Sequence, residues 1–520
     1  MSEFKKYFNE KFFDKTIFKE KGENIDGLLS NEMSVICGDF YGIQKFIFEG
    51  LTTKHAAKVL RAKSAFVELF TKIVAKFICK ELGHDEDRIL SCSAGKFEIL
   101  VNSRISSERI DKIQGILDEY FIKNFYAISG MSVVCADCSS NDFKSPSEYK
   151  ALRKKIADEI EAKKFNKFSL LRLENPVLGG TKDITNQTLC EICNMRKSVT
   201  NKKCGICDAF IDLGKKLTSG DKNINSKIDL HIDFCDIDVE LDEKIKSYVK
   251  KEGDNIVDFE KLASNKLGAL SVLKADVDGM GNFIKESEVT NSFSSFDCFS
   301  KNIDAFFSLY VPKIIKEKFP DTYVVFAGGD DLFIIGEWQK TMELARYIRS
   351  EFMSFVEPLK NTLSISFGAA IAKHSTPVKY LADETERLLE MSKEFKDKND
   401  KAKNAISMFN MSVSWDNYTK CYEALREKLQ ENILKADDVT AFFYRILELC
   451  DMRIALLEGS REKVNPKNAM WRSKLYYSIE RNAQKDSKDE LLKLLENQIE
   501  NHPKETKMII SQIIYIRRGK

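Results

Sequence analysis

The pattern D-x-x-G-[IM]-x-x-F-I occurs twice, as Asp39-Phe40-Tyr41-Gly42-Ile43-Gln44-Lys45-Phe46-Ile47 and as Asp276-Val277-Asp278-Gly279-Met280-Gly281-Asn282-Phe283-Ile284. Each copy follows an apolar run, Val35-Ile36-Cys37 or Leu273-Lys274-Ala275, and opens an apolar helical stretch. Each therefore reads as strand, glycine turn, helix. A hairpin signal comes later in both copies, Ser93-Ala94-Gly95-Lys96-Phe97 and Ala327-Gly328-Gly329-Asp330-Asp331. Lys96 falls 57 residues after Asp39 and Asp330 falls 54 after Asp276, so Lys96 and Phe97 are expected where the other copy has Asp330 and Asp331. The repeated order of strand, helix, strand, hairpin, strand predicts two α/β (α+β) domains of one fold, each a sheet with helices on one face, fused as a pseudo-dimer.

The rest of the chain is consistent with that size. A length of 520 residues allows three or four domains at roughly 150 residues each. Hydrophobic residues at 43%, with 36 Phe against 8 Pro, describe packed domains. The net charge of +2 leaves any nucleic-acid surface to a local patch. No run approaches the ~18 apolar residues of a membrane span, and the first twenty residues mix Lys, Glu and Phe without a signal-peptide core, so the expected location is cytoplasmic, with no membrane partner.

In the second copy Tyr323-Val324-Val325-Phe326-Ala327 is a strand, Gly328-Gly329 permits a tight turn, and Leu332-Phe333-Ile334-Ile335 returns. Asp330 and Asp331 then sit at the tip, beside the end of the strand carrying Asp276. Three carboxylates so placed repel one another unless a cation neutralises them. Their hard oxygens suit Mg²⁺ or Mn²⁺, and two such ions about 3.5–4 Å apart activate a ribose 3′-hydroxyl and stabilise departing pyrophosphate. An Asp-Asp pair in a Gly-Gly turn is by itself ordinary turn chemistry; the upstream Asp276-x-Asp278-Gly279 is what distinguishes this one. The first copy has Asp39 but no acid pair, so it is expected to be catalytically silent while still able to bind a nucleotide.

Thirteen cysteines is an odd number, and Cys37, Cys79, Cys92, Cys298 and Cys450 lie singly in apolar runs, so no disulfide framework is indicated. Cys190-x2-Cys193-x10-Cys204-x2-Cys207 has the spacing of two zinc knuckles. Four protein thiolates leave no position for water, so this Zn²⁺ is expected to be structural. Cys135-x-x-Cys138 has no second pair nearby and reads as a reduced pair at the end of a strand.

These motifs resemble the palm, or GGDEF-like cyclase, domains of nucleotide cyclases and polymerases, and more closely the large subunit of type III CRISPR-Cas effector complexes, Csm branch. The GGDD of Gly328-Gly329-Asp330-Asp331, the run Gly38-Asp39-Phe40-Tyr41-Gly42-Ile43-Gln44-Lys45-Phe46-Ile47-Phe48 and the cysteines come in that family's order, over most of residues 31–412. The resemblance implies two palm domains of ferredoxin type, with an N-terminal extension over 1–30, a degenerate first palm over 31–185, a zinc-binding linker over 186–265, a second palm over 266–412 and a helical domain over 413–520. It implies that Asp276, Asp330, Asp331 and the Val277 carbonyl hold two Mg²⁺ or Mn²⁺. ATP as substrate would meet Asp39, Gly42, Asp278, Gly279, Gly328 and Gly329, with Ser300 at the adenine and Lys403 at the triphosphate. The lysine-rich stretch 393–401, in place of the family's short glycine turn, reads equally as a solvated loop.

The implied activity is synthesis of cyclic or linear oligoadenylate when target RNA is bound. The implied partners are guide crRNA, complementary target RNA, the subunit that binds the guide 5′ end and the small helical subunit. Only about thirty residues precede the first palm, and His84-Asp85 falls in a loop, so no HD-type nuclease is expected. From about Asn417 onward Cys421, Leu425, Leu429, Ile433, Ile446, Leu447, Cys450, Ile454 and Leu457 recur at helical spacing, predicting a bundle. Arg453, Arg461, Lys463, Lys467, Arg472 and Lys474 on it are either RNA-phosphate contacts or a solvated face. Two rival functions remain: a stand-alone dinucleotide cyclase acting on GTP, and a scaffold whose acids are relics.

Overall fold

The computed structural model describes residues 17–19, 21–51, 56–165, 168, 188–199, 202–219, 221–242, 244–245, 251–252, 255–263, 267–359, 363–396, 403–430, 439–458 and 465–518. Its first domain runs β1 (Met33–Tyr41), α1 (Ile43–Phe48), α2 (Ala56–Leu82), β2 (Ile89–Ser93), β3 (Lys96–Val101), α3 (Ser107–Phe125), β4 (Gly130–Cys138) and α4 (Pro146–Phe165). The strands pair in the order β2-β3-β1-β4, and every pairing is antiparallel, which is the ferredoxin-type arrangement.

The second domain repeats it. After the linker helix α5 (Gly205–Lys216), β5 (Ala269–Asp278), α6 (Met280–Glu286), α7 (Phe293–Ala305) and α8 (Val311–Lys318) precede the hairpin of β6 (Thr322–Gly328) and β7 (Asp331–Glu337). Next come α9 (Trp338–Val356), β8 (Ser364–Lys373), α10 (Val378–Glu394) and two added strands, β9 (Ala405–Met408) and β10 (Met411–Ser414). The sheet order β6-β7-β5-β8-β9-β10 contains the first domain's order within it, with β9 joining β8 in parallel. The strand-to-helix corner is the same in both: Gly42 and Gly279 cap α1 and α6 at φ +74° and +76°, a left-handed geometry that glycine adopts without Cβ strain.

Strand register corrects one equivalence expected from spacing. Asp39 faces Lys96 across β1–β3, and Asp276 faces Asp331 across β5–β7. Lys96 therefore occupies the position of Asp331, and Gly95 that of Asp330; Phe97 corresponds to Leu332. Both turns have two residues, so a count from the aspartate that ignores the intervening helices and loops drifts by one.

Helices do not keep to one face of each sheet. One face of the first sheet packs Ile36, Phe40, Phe97 and Ile99 against α2 and α3, and that core continues through Leu270, Val272, Tyr323, Phe333 and Ile335 of the second sheet. The opposite face of the first sheet is covered by Tyr149, Leu152 and Ile156 of α4. Leu273, Ala275, Ile334 and Phe367 on the far face of the second sheet pack with α9 and with the C-terminal helices. Those helices are α11 (Trp415–Gln430), α12 (Val439–Glu458), α13 (Trp471–Asn482), α14 (Lys488–Asn501) and α15 (Pro503–Arg518). The sheet thus extends to Ser414, two residues past the expected domain boundary. In the bundle Arg453 pairs with Glu500, Arg472 with Glu496 and Glu500, and Lys474 with Glu448. Ile433, Arg461 and Lys463 lie outside the described residues.

The segment before β1 crosses to the second domain. Phe18 is buried against Tyr310 and Phe355, and the Lys19 amide donates to Asn302 Oδ1 at 2.8 Å.

Helix α10 lies so close to β8 that a Cβ on Gly368 would sit 2.5 Å from the Leu389 nitrogen and 2.5 Å from the Thr385 carbonyl. Gly368→Ala is expected to push α10 off the sheet and cost about 1–3 kcal/mol, read as a lowered thermal midpoint in a melt of the purified protein.

Candidate active site and zinc site

The hairpin tips of the two domains meet. A Cβ on Gly329 would lie 3.2 Å from that of Ala94. Each tip is fixed by an acid from a helix that precedes its hairpin. The Ala94 amide donates to Glu68 Oε2 of α2 at 3.0 Å, and the Gly329 amide donates to Asp304 Oδ1 of α7 at 2.9 Å. Asp304 also pairs with Lys244 of the linker. Burial, reinforced by the Asp304 charge, pushes the Glu68 carboxyl up to about 7.

Between the domains lies a cavity of about 800 Å³. Asp39, Gly42, Arg61, Lys96 and Lys164 line it from the first domain, and Asp304, Ser308, Gly328 and Asp331 from the second. Asp39 is buried and pairs with Lys164. A site shared by both halves of a duplicated fold offers each half one side of a two-substrate reaction.

The second domain gathers its acids at one corner. Asp276 and Asp331 are register partners, and the Asp330 carbonyl accepts from the Val277 amide at 3.0 Å, which ties the hairpin tip to the end of β5. Burial pushes the Asp331 carboxyl up to about 8, the Asp330 charge adding to it and Lys274 opposing it. Burial likewise raises Asp276 to about 6 against the lowering effect of Lys393. Loss of solvent is the main cause of both shifts, and the neighbouring aspartates add to it. A hard divalent cation fits this donor set of carboxylate oxygens.

Other expected residues are placed differently. Asp278 is buried, and its Oδ2 accepts from Ser364 Oγ (2.7 Å), Ser366 Oγ (2.8 Å) and the Asn404 amide (3.1 Å), so this oxygen braces β5 against β8 and the start of β9. Ser300 is exposed and is not among the residues lining the cavity; Asp304 and Ser308, four and eight residues further on, line it instead. Lys403, at φ +71°, donates its amide to the Phe395 carbonyl at 2.9 Å. The lysine that meets the acids is Lys393, in the last turn of α10, with Nζ 2.8 Å from Asp276 Oδ1. Sequence reading passed over it as part of a solvated run. A signal was present: Lys393 follows Glu386 by seven residues, two helical turns, and Glu386 pairs with Lys274 on the same strand as Asp276.

Cys190, Cys193, Cys204 and Cys207 are all buried, and their sulfurs lie within 4.8 Å of one another. Tetrahedral Zn–S bonds of about 2.3 Å put sulfurs about 3.8 Å apart, so the group fits zinc; the Cys193–Cys204 distance is 3.9 Å. The Cys207 amide points at Cys204 Sγ from 3.4 Å, an arrangement that favours thiolate. Among the described residues this is the only set of three or more metal-ligating side chains so close together. Cys135 and Cys138 are free, and burial raises both, to about 11 and about 12.

A family profile for the Cas10/Cmr2 second palm domain matches residues 269–406, and one for Csm1 subunit domain B matches residues 32–177. The chain belongs with the Cas10/Csm1 large subunits. It is 26% identical to the CRISPR system single-strand-specific deoxyribonuclease Cas10/Csm1 (subtype III-A) of Methanocaldococcus jannaschii, across 79% of this chain and 63% of the relative. For the protein of the same name from Streptococcus thermophilus the figures are 24%, 79% and 58%. The chain thus spans about three-fifths of the length of these Cas10/Csm1 relatives. Its fold matches the apo Csm1-Csm4 cassette with a TM-score of 0.69 at 19% identity, over 94% of this chain and 71% of that one. The Csm1-Csm4 cassette in complex with cA3 matches with a TM-score of 0.66 at 20% identity, over 93% and 71%. No helix among the described residues is long and apolar enough to cross a membrane.

Two outcomes follow from these sites. Metal analysis of the purified protein is expected to return one zinc per chain, and the Cys193→Ser, Cys204→Ser variant none. The Asp331 carboxyl, raised in the folded state, contributes stability that is complete below its ordinary value near 4 and is lost as pH rises through about 8. With no divalent ion added, the thermal midpoint should fall from pH 5 to 8.5, and Asp331→Asn should flatten that slope.

Proposed function

We propose that this Cas10/Csm1 chain makes oligoadenylate, in cyclic form, from ATP, as the large subunit of an RNA-guided type III-A complex that target RNA switches on. The observation that carries this reading is the meeting of the two hairpin tips at one cavity, with an acid-bearing tip on one side and an acid-poor one on the other. In the proposed reaction a ribose 3′-hydroxyl of one ATP attacks the α-phosphorus of another, a new P–O bond forms, and pyrophosphate leaves.

Asp276, Asp330 and Asp331, with the Val277 carbonyl, would hold two Mg²⁺ or Mn²⁺, which supply Lewis-acid activation of the hydroxyl and charge neutralisation at the phosphates. Asp304 and Glu68 keep the two tips in place by their amide hydrogen bonds, which fixes where the acid-bearing tip meets the cavity. Lys96 gives the first domain a cationic group for a nucleotide triphosphate, but that domain has no acid pair, so that half binds and presents its nucleotide without activating it. Gly42 and Gly328 line the cavity, where a glycine backbone allows close approach by phosphate. The partners on this reading are guide crRNA, matching target RNA, a Csm4-like subunit and the small helical subunit.

The test is incubation of the assembled complex, with guide and matching target RNA, with labelled ATP or GTP and Mg²⁺, followed by chromatography. Oligoadenylates are expected, and Asp330→Ala, Asp331→Ala should lower them by a factor of about 10² or more. Products from GTP alone would make the chain a dinucleotide cyclase. No product from either would leave a scaffold.

A further inference from the structure

The duplication extends to one ion pair in each domain. In each domain the aspartate near the end of the first strand faces a buried serine on the last ferredoxin strand, Asp39 opposite Ser132 and Asp276 opposite Ser366. In each, the same aspartate pairs with a lysine in the last turn of the helix that follows that strand, Lys164 on α4 and Lys393 on α10. Equivalent elements thus bring an ammonium to equivalent carboxylates.

We infer that Lys393 is a tethered counter-cation that occupies the Asp276 carboxylate until a divalent ion displaces it, whereas Lys164 remains on Asp39 because the first domain cannot make the exchange. The inference rests on the two-metal reading above.

Charge and geometry both support the exchange. Asp331 is the register partner of Asp276, and the Val277 amide ties the Asp330 backbone to the same corner, so the Lys393 ammonium on Asp276 faces a cluster of carboxylates. A divalent ion brings twice the charge and takes several oxygens at once. The three aspartates do not yet form a set with ligand atoms within 4.8 Å of one another, while Asp276 Oδ1 lies 2.8 Å from Lys393. Opposite Asp39, by contrast, register places Lys96 where the second domain has Asp331. A divalent ion there would meet one carboxylate and two ammonium groups, so repulsion opposes the exchange.

The side chain of Lys393 has room to leave. It is 27% exposed, on a long flexible stem. The helix that carries it need not move, because Lys274, only 3% exposed, anchors α10 through Glu386 two turns earlier.

Mn²⁺ binding, measured by electron paramagnetic resonance on the zinc-loaded full chain without nucleotide, tests this directly. Lys393→Met and Lys393→Gln are each expected to tighten Mn²⁺ binding about two- to fivefold, the effect of removing a partly exposed competing ion pair. Lys164→Met should leave it unchanged. Unchanged or weaker binding in both folded Lys393 variants, or an equal gain in Lys164→Met, would overturn the inference and leave the two-metal reading intact. If the wild-type chain shows no Mn²⁺ binding that Asp330→Asn, Asp331→Asn removes, both fall together.

Discussion

Helix α2 has almost no face left for water. Twenty of its 27 residues are buried, which is the condition for a helix packed on more than one side. Phe66 and Phe70 face the first sheet through the aromatic group of Phe40, Phe46 and Phe121, while the Ala57 carbonyl accepts from the Tyr323 hydroxyl of the second sheet. Separating the domains would expose this surface and strip a buried hydrogen bond, so their relation is set by the core. Everything at the shared cavity depends on that fixed relation, because neither hairpin tip is held against the other by its own loop.

The same helix introduces the polar groups that make the interface a site. Arg61, Lys63 and Glu68 lie on it among apolar neighbours, and burial lowers Arg61 to about 10 and Lys63 to about 8. Lys63 is satisfied by the Glu49 carbonyl beside the zinc module, and Glu68 by the Ala94 amide. Lys244, from the segment after the four-cysteine module, pairs with Asp304. Arg61, Glu68, Lys244 and Asp304 thus line the shared cavity, while Lys63 sits apart beside the cysteines.

Features that depend on local chemistry were legible from sequence. The glycine corners need positive φ, the cysteine knuckles need their spacing, and the alternation of apolar strands with helical stretches needs two sheets. Features set by register and packing were not. Lys96 matches Asp331 and not Asp330 because both hairpins close with two-residue turns, which a residue count cannot see through intervening loops. Lys393 looked like solvated charge because its sequence neighbours are lysines; only the lie of α10 across β5 brings it to Asp276. Asp304 gave no motif at all, since its function is to hold the Gly329 amide across a turn that is distant in sequence.

The strap before β1 has a consequence for biosynthesis. Lys19 and its partner Asn302 are 283 residues apart, and Phe18 fills a place between Tyr310 and Phe355. At ribosomal speeds of about 5–20 residues per second, the strap waits about 15–60 s after its own synthesis before its binding partner exists. During that interval the first domain can already form its own sheet, so the strap docks only after that sheet can exist.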